Sequence, residues 1–334
     1  MDLLTQGLLG SALAQTAAGP RQLRKAALIG LLAGLSADLD VLIQSSHDPL
    51  LNLEYHRHFS HSLFFIPIAA PVLTTILWPF FRRSLSWGQV LLYSLLGYLC
   101  SGLLDACTSY GTRLLWPVSN ERFSFNIISI VDPVFTLLLL TGVIVGLVSR
   151  RRMVLAVCLL LAVFYLIMGL YQRDQIYSIN ADIAEQRGHN AQRVLVKPTL
   201  GNLFLWRSIY LDNGTYYIDA IRRNPFTGSI TIFQGESVAQ FSLNEINVKP
   251  KSILYQDIER FAYFSDQYLA RHPKQADLLI DVRYANLPHQ VHPLWGIRID
   301  ESNPQHHAGY ETMRDRSTET RSQFIEMVLG SKEN

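Results

Sequence analysis

The chain has 334 residues, enough for two structural units, with 29 Lys and Arg against 27 Asp and Glu and a net charge of +2. That balance is too small to draw nucleic acid by charge, so no nucleic-acid partner is expected. Only 17% of residues are charged and mean hydropathy is +0.15, below the charge content of ordinary soluble domains.

The shortage of charge is uneven. Residues 1–171 are Leu-rich and poor in charge, whereas 172–334 carry most of the acids and bases. The expected fold is therefore an α-helical polytopic membrane domain over 1–171, followed by a soluble α+β domain over 172–334. The opening MDLLTQ places an acid where a signal peptide has positive charge, so the first apolar stretch is expected to be retained.

In chain order, 3–18 reads as a span or half-inserted helix weakened by Gln6 and Gln15. The run 26–43 is apolar except for Asp38 and Asp40 near its end. Runs 62–81 and 84–104 hold no charge. Residues 134–149 become long enough to span when extended back past Asp132, and 153–171 is uncharged. Gly30/Gly34 and Gly142/Gly146 have the spacing that lets helices approach closely.

Basic residues alternate between loops. Arg21, Arg24 and Lys25, then Arg82 and Arg83, then Arg150, Arg151 and Arg152 fall on one side, which the positive-inside rule makes cytoplasmic. The loops 44–61 and 109–130 and the C-terminal half then face outward. Beyond 172, residues 203–211, Asn213-Gly214 and 215–221 read as a hairpin. Strands are expected at 229–234, 278–284 and 296–299, a helix at 257–270, and a polar tail after Asp300. Cys100, Cys107 and Cys158 lie in or beside apolar runs without CxxC spacing and read as packing residues.

Ionisable groups within membrane segments are costly and mark function by default. Here they converge. Asp38 and Asp40 end one segment, His56, Arg57, His58 and His61 precede the next, and Asp105 ends a third, all on the outer face. Imidazoles and carboxylates together suit a divalent metal such as zinc or manganese, which lowers the pKa of bound water to about 7. The expected metal ligands are Asp38, Asp40, His56, His61 and Asp105. His56 and Arg57 are the candidate catalytic residues, with Arg57 suited to a phosphate oxygen. His56 and His61, five apart, need a turn between them to meet. His58 reads as a packing residue, and Asp132, before Pro133, as a helix start.

The blocks MDLLTQGLLGSALAQ, GLSADLDVLI, YHRHFSHSLFF, LLDACTSYGTRLLWP and ISIVDPVFT, in that order, resemble the membrane-bound metal-dependent hydrolases, including the LexA-regulated inner-membrane hydrolase type. The resemblance covers about residues 1–171. It implies a multi-pass inner-membrane hydrolase, distant kinship with zinc-dependent phospholipase C, and the same five ligands carried over by motif. Two positions depart from the family pattern. Ser101 stands where the family has a histidine four residues before the aspartate, and Ala37 replaces a proline. Three functions follow as expectations. The first is a hydrolase of phospholipid or another lipid-linked phosphoester substrate, with the membrane lipid as its environment. The second is a non-catalytic membrane protein with a degenerate site, whose C-terminal domain binds a partner. The weakest is a transporter, whose site would lie at the membrane midplane.

Overall fold

The structure, a computed structural model, describes residues 1–149 and 152–330. Arg150 and Arg151, two of the basic residues used for orientation, lie outside the described residues. The chain divides into two compact units. The first comprises Met1–Ile43, Tyr55–Tyr171 and Leu200–Asn202, and the second Gln44–Glu54, Gln172–Thr199 and Leu203–Asn334.

The first unit is helical. Its elements are α1 (Leu3–Ala17), α2 (Leu23–Ser36), α4 (Ile66–Phe81), α5 (Trp87–Cys107), α6 (Pro133–Ser149) and the first part of α7 (Arg152–Gln186). The short α3 (Leu51–Tyr55), which precedes α4 in the chain, belongs to the second unit except for Tyr55. Three stretches are long and apolar enough to cross a membrane among the described residues: Leu63–Phe81, Trp87–Cys107 and Met153–Gln186. Helices α1 and α2, of 15 and 14 residues, fall short of the roughly 20 that a bilayer needs. α6, at 17 residues, is also shorter.

Glycine lets α1, α2 and α5 meet backbone to backbone. A Cβ on Gly30 would strike the Gly10 carbonyl, and one on Gly97 the Gly30 carbonyl. The Gly30/Gly34 spacing therefore serves packing, as expected. Asp132 accepts from the Phe135 amide at 3.1 Å and so starts α6, also as expected.

Local structure corrects one membrane segment. The run 26–43 is not one helix. α2 stops at Ser36, and Ala37–Leu42 tightens into a 3-10 turn that carries Asp38 and Asp40. The run 153–171 also does not end its helix, because α7 continues to Gln186.

The second unit holds two antiparallel four-stranded sheets, which together with its helices make it α+β. The first sheet orders β1 (Arg193–Pro198), β2 (Leu205–Asp212), β3 (Thr215–Arg223) and β4 (Ile230–Ala239). The second orders β5 (Leu269–His272), β6 (Gln275–Asp281), β7 (Trp295–Arg298) and β8 (Gly309–Thr312). Leu195, Ile209 and Ile218 of the first sheet pack with Leu278 and Ile280 of the second, forming a shared core. Asn213 (φ 45°) and Gly214 (φ 73°) close the β2–β3 hairpin, which is why that dipeptide was readable.

The helix expected at 257–270 begins earlier and ends earlier, as α8 (Ile253–Phe264). Ser252 caps its start by accepting from the Tyr255 amide. Asp266 and Gln267 take positive φ, so the chain leaves the helix and starts β5 at Leu269. The polar tail after Asp300 is ordered into β8 and α9 (Thr318–Leu329).

Candidate functional site

The 3-10 turn Ala37–Leu42, a second one at Phe59–His61 and the C-terminal end of α5 bring their polar side chains together. Between Tyr55 and Phe59 the chain reverses with Arg57 at φ 60°. That reversal supplies the turn that His56 and His61 need in order to face the same carboxylates. Gly102 makes the approach possible, since a Cβ there would run into the His61 carbonyl.

Asp40 has four partners. Its Oδ1 lies 2.9 Å from His56 Nδ1. Its Oδ2 accepts from the Arg57 amide at 2.8 Å and Ser60 Oγ at 2.6 Å, and lies 3.2 Å from His61 Nδ1. His61 Nε2 sits 3.2 Å from Asp38 Oδ1 and 3.1 Å from Asp105 Oδ2. Burial by itself opposes a charge on His61, but the carboxylates of Asp105, Asp38 and Asp40 close around the ring outweigh it and push it up to about 10.

Asp105 is fully buried. It faces Arg57 Nε at 3.0 Å, accepts from Gln6 Nε2 at 3.0 Å, and pairs with the Met1 amino group. The Arg57 guanidinium also donates to Thr108 Oγ1 at 3.1 Å and stacks over the Tyr110 ring. Its charge is thus directed at Asp105, and Arg57 is itself only 4% exposed.

All five expected ligands are therefore in one place. Asp38, His61 and Asp105 can offer ligand atoms within 4.8 Å of one another, and so can Asp38, Asp40 and His56. Asp38 Oδ2, His61 Nε2 and Asp105 Oδ2 are buried without an aligned hydrogen bond. Buried polar atoms without an aligned partner are rare, and one place they occur is around a bound ion. With His61 neutral, as a ligand must be, three carboxylates face two cationic groups, Arg57 and the Met1 amino group, so a divalent cation fits the charge as well as the donor chemistry. As a ligand, His61 Nε2 must give up its proton, so any binding weakens in acid.

Neighbouring residues do other work. His58 stays out of the cluster, with its ring 5.2 Å from Trp116 and 5.5 Å from Tyr55, a packing role. Ser101, where the resemblance leads one to expect a histidine, is fully buried and donates to the Gly34 carbonyl at 3.0 Å. The sequence reading missed Ser60 and Gln6 as site residues, and offered Thr108 only as a possible partner of Asp105. They are ordinary residue types whose roles come only from the fold.

A second acid–histidine group lies in the second unit: Asp48, Asp257 and His307. Arg260 already stands among these acids, 3.0 Å from Asp48 and 3.1 Å from Asp257, and 3.0 Å from Glu54. With a guanidinium in place, this group is an ion-pair network.

The apolar helices and the buried acid–imidazole cluster beside them define a membrane protein. The chain matches the family model described as YdjM inner membrane protein over residues 1–176. It belongs to that inner-membrane family. No curated protein and no solved structure matches it. The family description carries the membrane location and names neither a hydrolase activity nor a metal.

Proposed function

We propose that the chain is a metal-dependent hydrolase of the inner membrane that cleaves a phosphoester, on a phospholipid or another lipid-linked substrate. One observation carries this reading: Asp38, His61 and Asp105 converge from three separate elements with buried, unaligned ligand atoms. Those three would hold the metal, zinc or manganese by donor type, and Asp40 and His56 adjoin them. When bound, the metal supplies Lewis-acid activation of the phosphoester and of a water.

The chain's own residues supply the rest. Asp40 holds His56 Nδ1 at 2.9 Å and so favours the tautomer with a free Nε2. The His56 side chain is 25% exposed whereas that of His61 is fully buried, so His56 is the imidazole able to take a proton from an attacking water. Arg57 Nε, 3.0 Å from Asp105, holds that carboxylate in place. A role as phosphate clamp would rest on the guanidinium edge that Asp105 and Thr108 leave free.

The alternation of basic loops supports a multi-pass protein with the site and the C-terminal unit on the periplasmic side. A cysteine at Arg82 should react with an impermeant maleimide only after spheroplasts are lysed, and a cysteine at Gln234 should react before lysis. The reverse pattern would overturn the orientation.

The second reading is a non-catalytic membrane protein, favoured by Ser101 in the histidine position with its hydroxyl committed to Gly34. Elemental analysis of detergent-purified protein separates the two, with bis(4-nitrophenyl) phosphate as a phosphodiester probe. The hydrolase reading expects near-stoichiometric zinc or manganese and metal-dependent turnover, both lost in Asp38→Ala. Wild type that takes up neither metal and hydrolyses nothing would leave the non-catalytic reading.

A further inference from the structure

Helix α7 passes the end of its apolar run at Tyr171 and continues to Gln186. Side chains along this extension set the direction of two strands. Gln172 Nε2 donates to the carbonyls of Leu203 (3.1 Å) and Arg223 (3.0 Å). Further along, Asn180 Nδ2 donates to Ser208 Oγ at 2.5 Å. Just past the helix, Arg187 pairs with Asp219 at 2.7 and 3.0 Å. The order 172, 180, 187 on the helix thus meets 203 and 208 on β2, and 219 then 223 in reverse on β3. β3 therefore runs back down α7 toward the apolar run, and the turn Asn224–Gly228 lies beyond the level of Gln172.

The apolar run 153–171 is roughly 28 Å long at about 1.5 Å per residue, matching a hydrocarbon core of about 30 Å. Gln172, Arg173 and Asp174 follow it at once, so Gln172 marks the edge of the core. A turn that extends past Gln172 in the direction of the span enters the headgroup layer.

The surface chemistry changes along the same direction. Phe226, within the turn, is 79% exposed. On β4 the outward residues nearest the turn are Ile230 and Ile232, exposed by 49% and 47%. Ile230 pairs with Arg223 and is thus level with Gln172. The outward positions further from the turn, Gln234 and Glu236, are polar. One face of one strand changes from apolar to polar with distance from the membrane edge. The turn also satisfies much of its own backbone: Asn224 Oδ1 accepts from the amides of Phe226 (2.9 Å) and Thr227 (3.2 Å), and the Asn224 amide donates to the Ser229 carbonyl. A loop meant to sit among acyl-chain ends needs that internal pairing.

The geometry points to the β3–β4 turn as a second membrane contact, with Phe226, Ile230 and Ile232 seated in the headgroup layer of the leaflet from which α7 emerges. This contact needs α7 to span the bilayer and is independent of any hydrolase activity.

Photo-crosslinking of the full chain in phosphatidylcholine/phosphatidylglycerol nanodiscs tests this. Phe226 is replaced by p-benzoylphenylalanine in one version and Gln234 in another, both being exposed positions. After irradiation, mass spectrometry of the peptides should find phospholipid adducts on position 226 several-fold above those on 234. Equal adduct levels at the two positions, no lipid adduct at 226, or a crosslinked dimer in place of the lipid adduct would each overturn the proposal.

Discussion

His58 shows how a single residue in this chain turns burial into a pH response. Its ring is packed among Tyr55, Phe59 and Trp116, and Nδ1 finds no hydrogen-bond partner. Burial first, and the charge of Arg113 second, push it down to about 4. The unfolded chain binds the proton near 6.5. The neutral ring therefore contributes stability that is fully present above about pH 6.5 and is lost as pH falls toward 4. In detergent, wild type should lose melting temperature over that window while His58→Phe loses less. Parallel melting curves for the two proteins would count against the account.

Ser101 is the residue at which sequence and packing pull apart. Its position four before Asp105 led to the expectation that a histidine would add a ligand on the same helix face. The structure adds a cost, because the hydroxyl is fully buried and spent on the Gly34 carbonyl where α2 meets α5. Ser101→Ala leaves that carbonyl short of a donor and should cost on the order of 1 kcal/mol. Ser101→His should lower the melting temperature of metal-free protein further, yet raise the metal retained after chelator dialysis. A histidine variant that is as stable as wild type but retains no more metal would remove the pairing argument.

At the scale of elements, the site depends on the second 3-10 turn lying directly on α5, which Gly102 permits. Gly102→Ala should push the His61 backbone away, costing roughly 1–3 kcal/mol as an overpacked contact does, and should reduce metal retention. Gly88, in the same helix, has nothing within 4 Å of an added Cβ. Gly88→Ala should be neutral or slightly stabilising in the same melts. Equal effects of the two alanines would mean that helix propensity, and not the close approach, governs the result. Element existence was readable wherever a local signal was complete, as at Asn213-Gly214 or the uncharged run before Arg82. It failed where tertiary context decided. The periodicity of 257–270 gave no sign that Asp266 and Gln267 would adopt positive φ, and nothing in 26–43 announced the tightening at Ala37 that aims Asp38 and Asp40. Convergence of the five ionisable residues was legible because topology alone demands it. Ser60 and Gln6 were not, because their contacts depend on side-chain reach across folded elements.

At the scale of the whole molecule, most of the chain between Asp40 and His56 does not belong to the helical unit that carries them. Residues Gln44–Glu54 are part of the second unit. Leu50 is fully buried there, against Leu254, Ile258, Trp295 and Ile297 among others. Asp48 and Glu54 each lie 3.0 Å from Arg260. Two site residues are thus joined by a covalent segment whose position is set by a core more than 200 residues further along in sequence, a link invisible to any local reading. Leu50→Ala should cost roughly 2–5 kcal/mol by the usual cost of a core cavity and, by releasing the segment, should also lower the metal retained by the Asp38 cluster. Leu279→Ala opens a cavity in the same core from β6, outside that segment. It should destabilise the second unit comparably and leave metal retention at the wild-type level below its own melting transition. The measurement is metal content after chelator dialysis, set beside the melting temperature of each variant. If both variants shed metal in proportion to their loss of stability, the segment carries no coupling of its own.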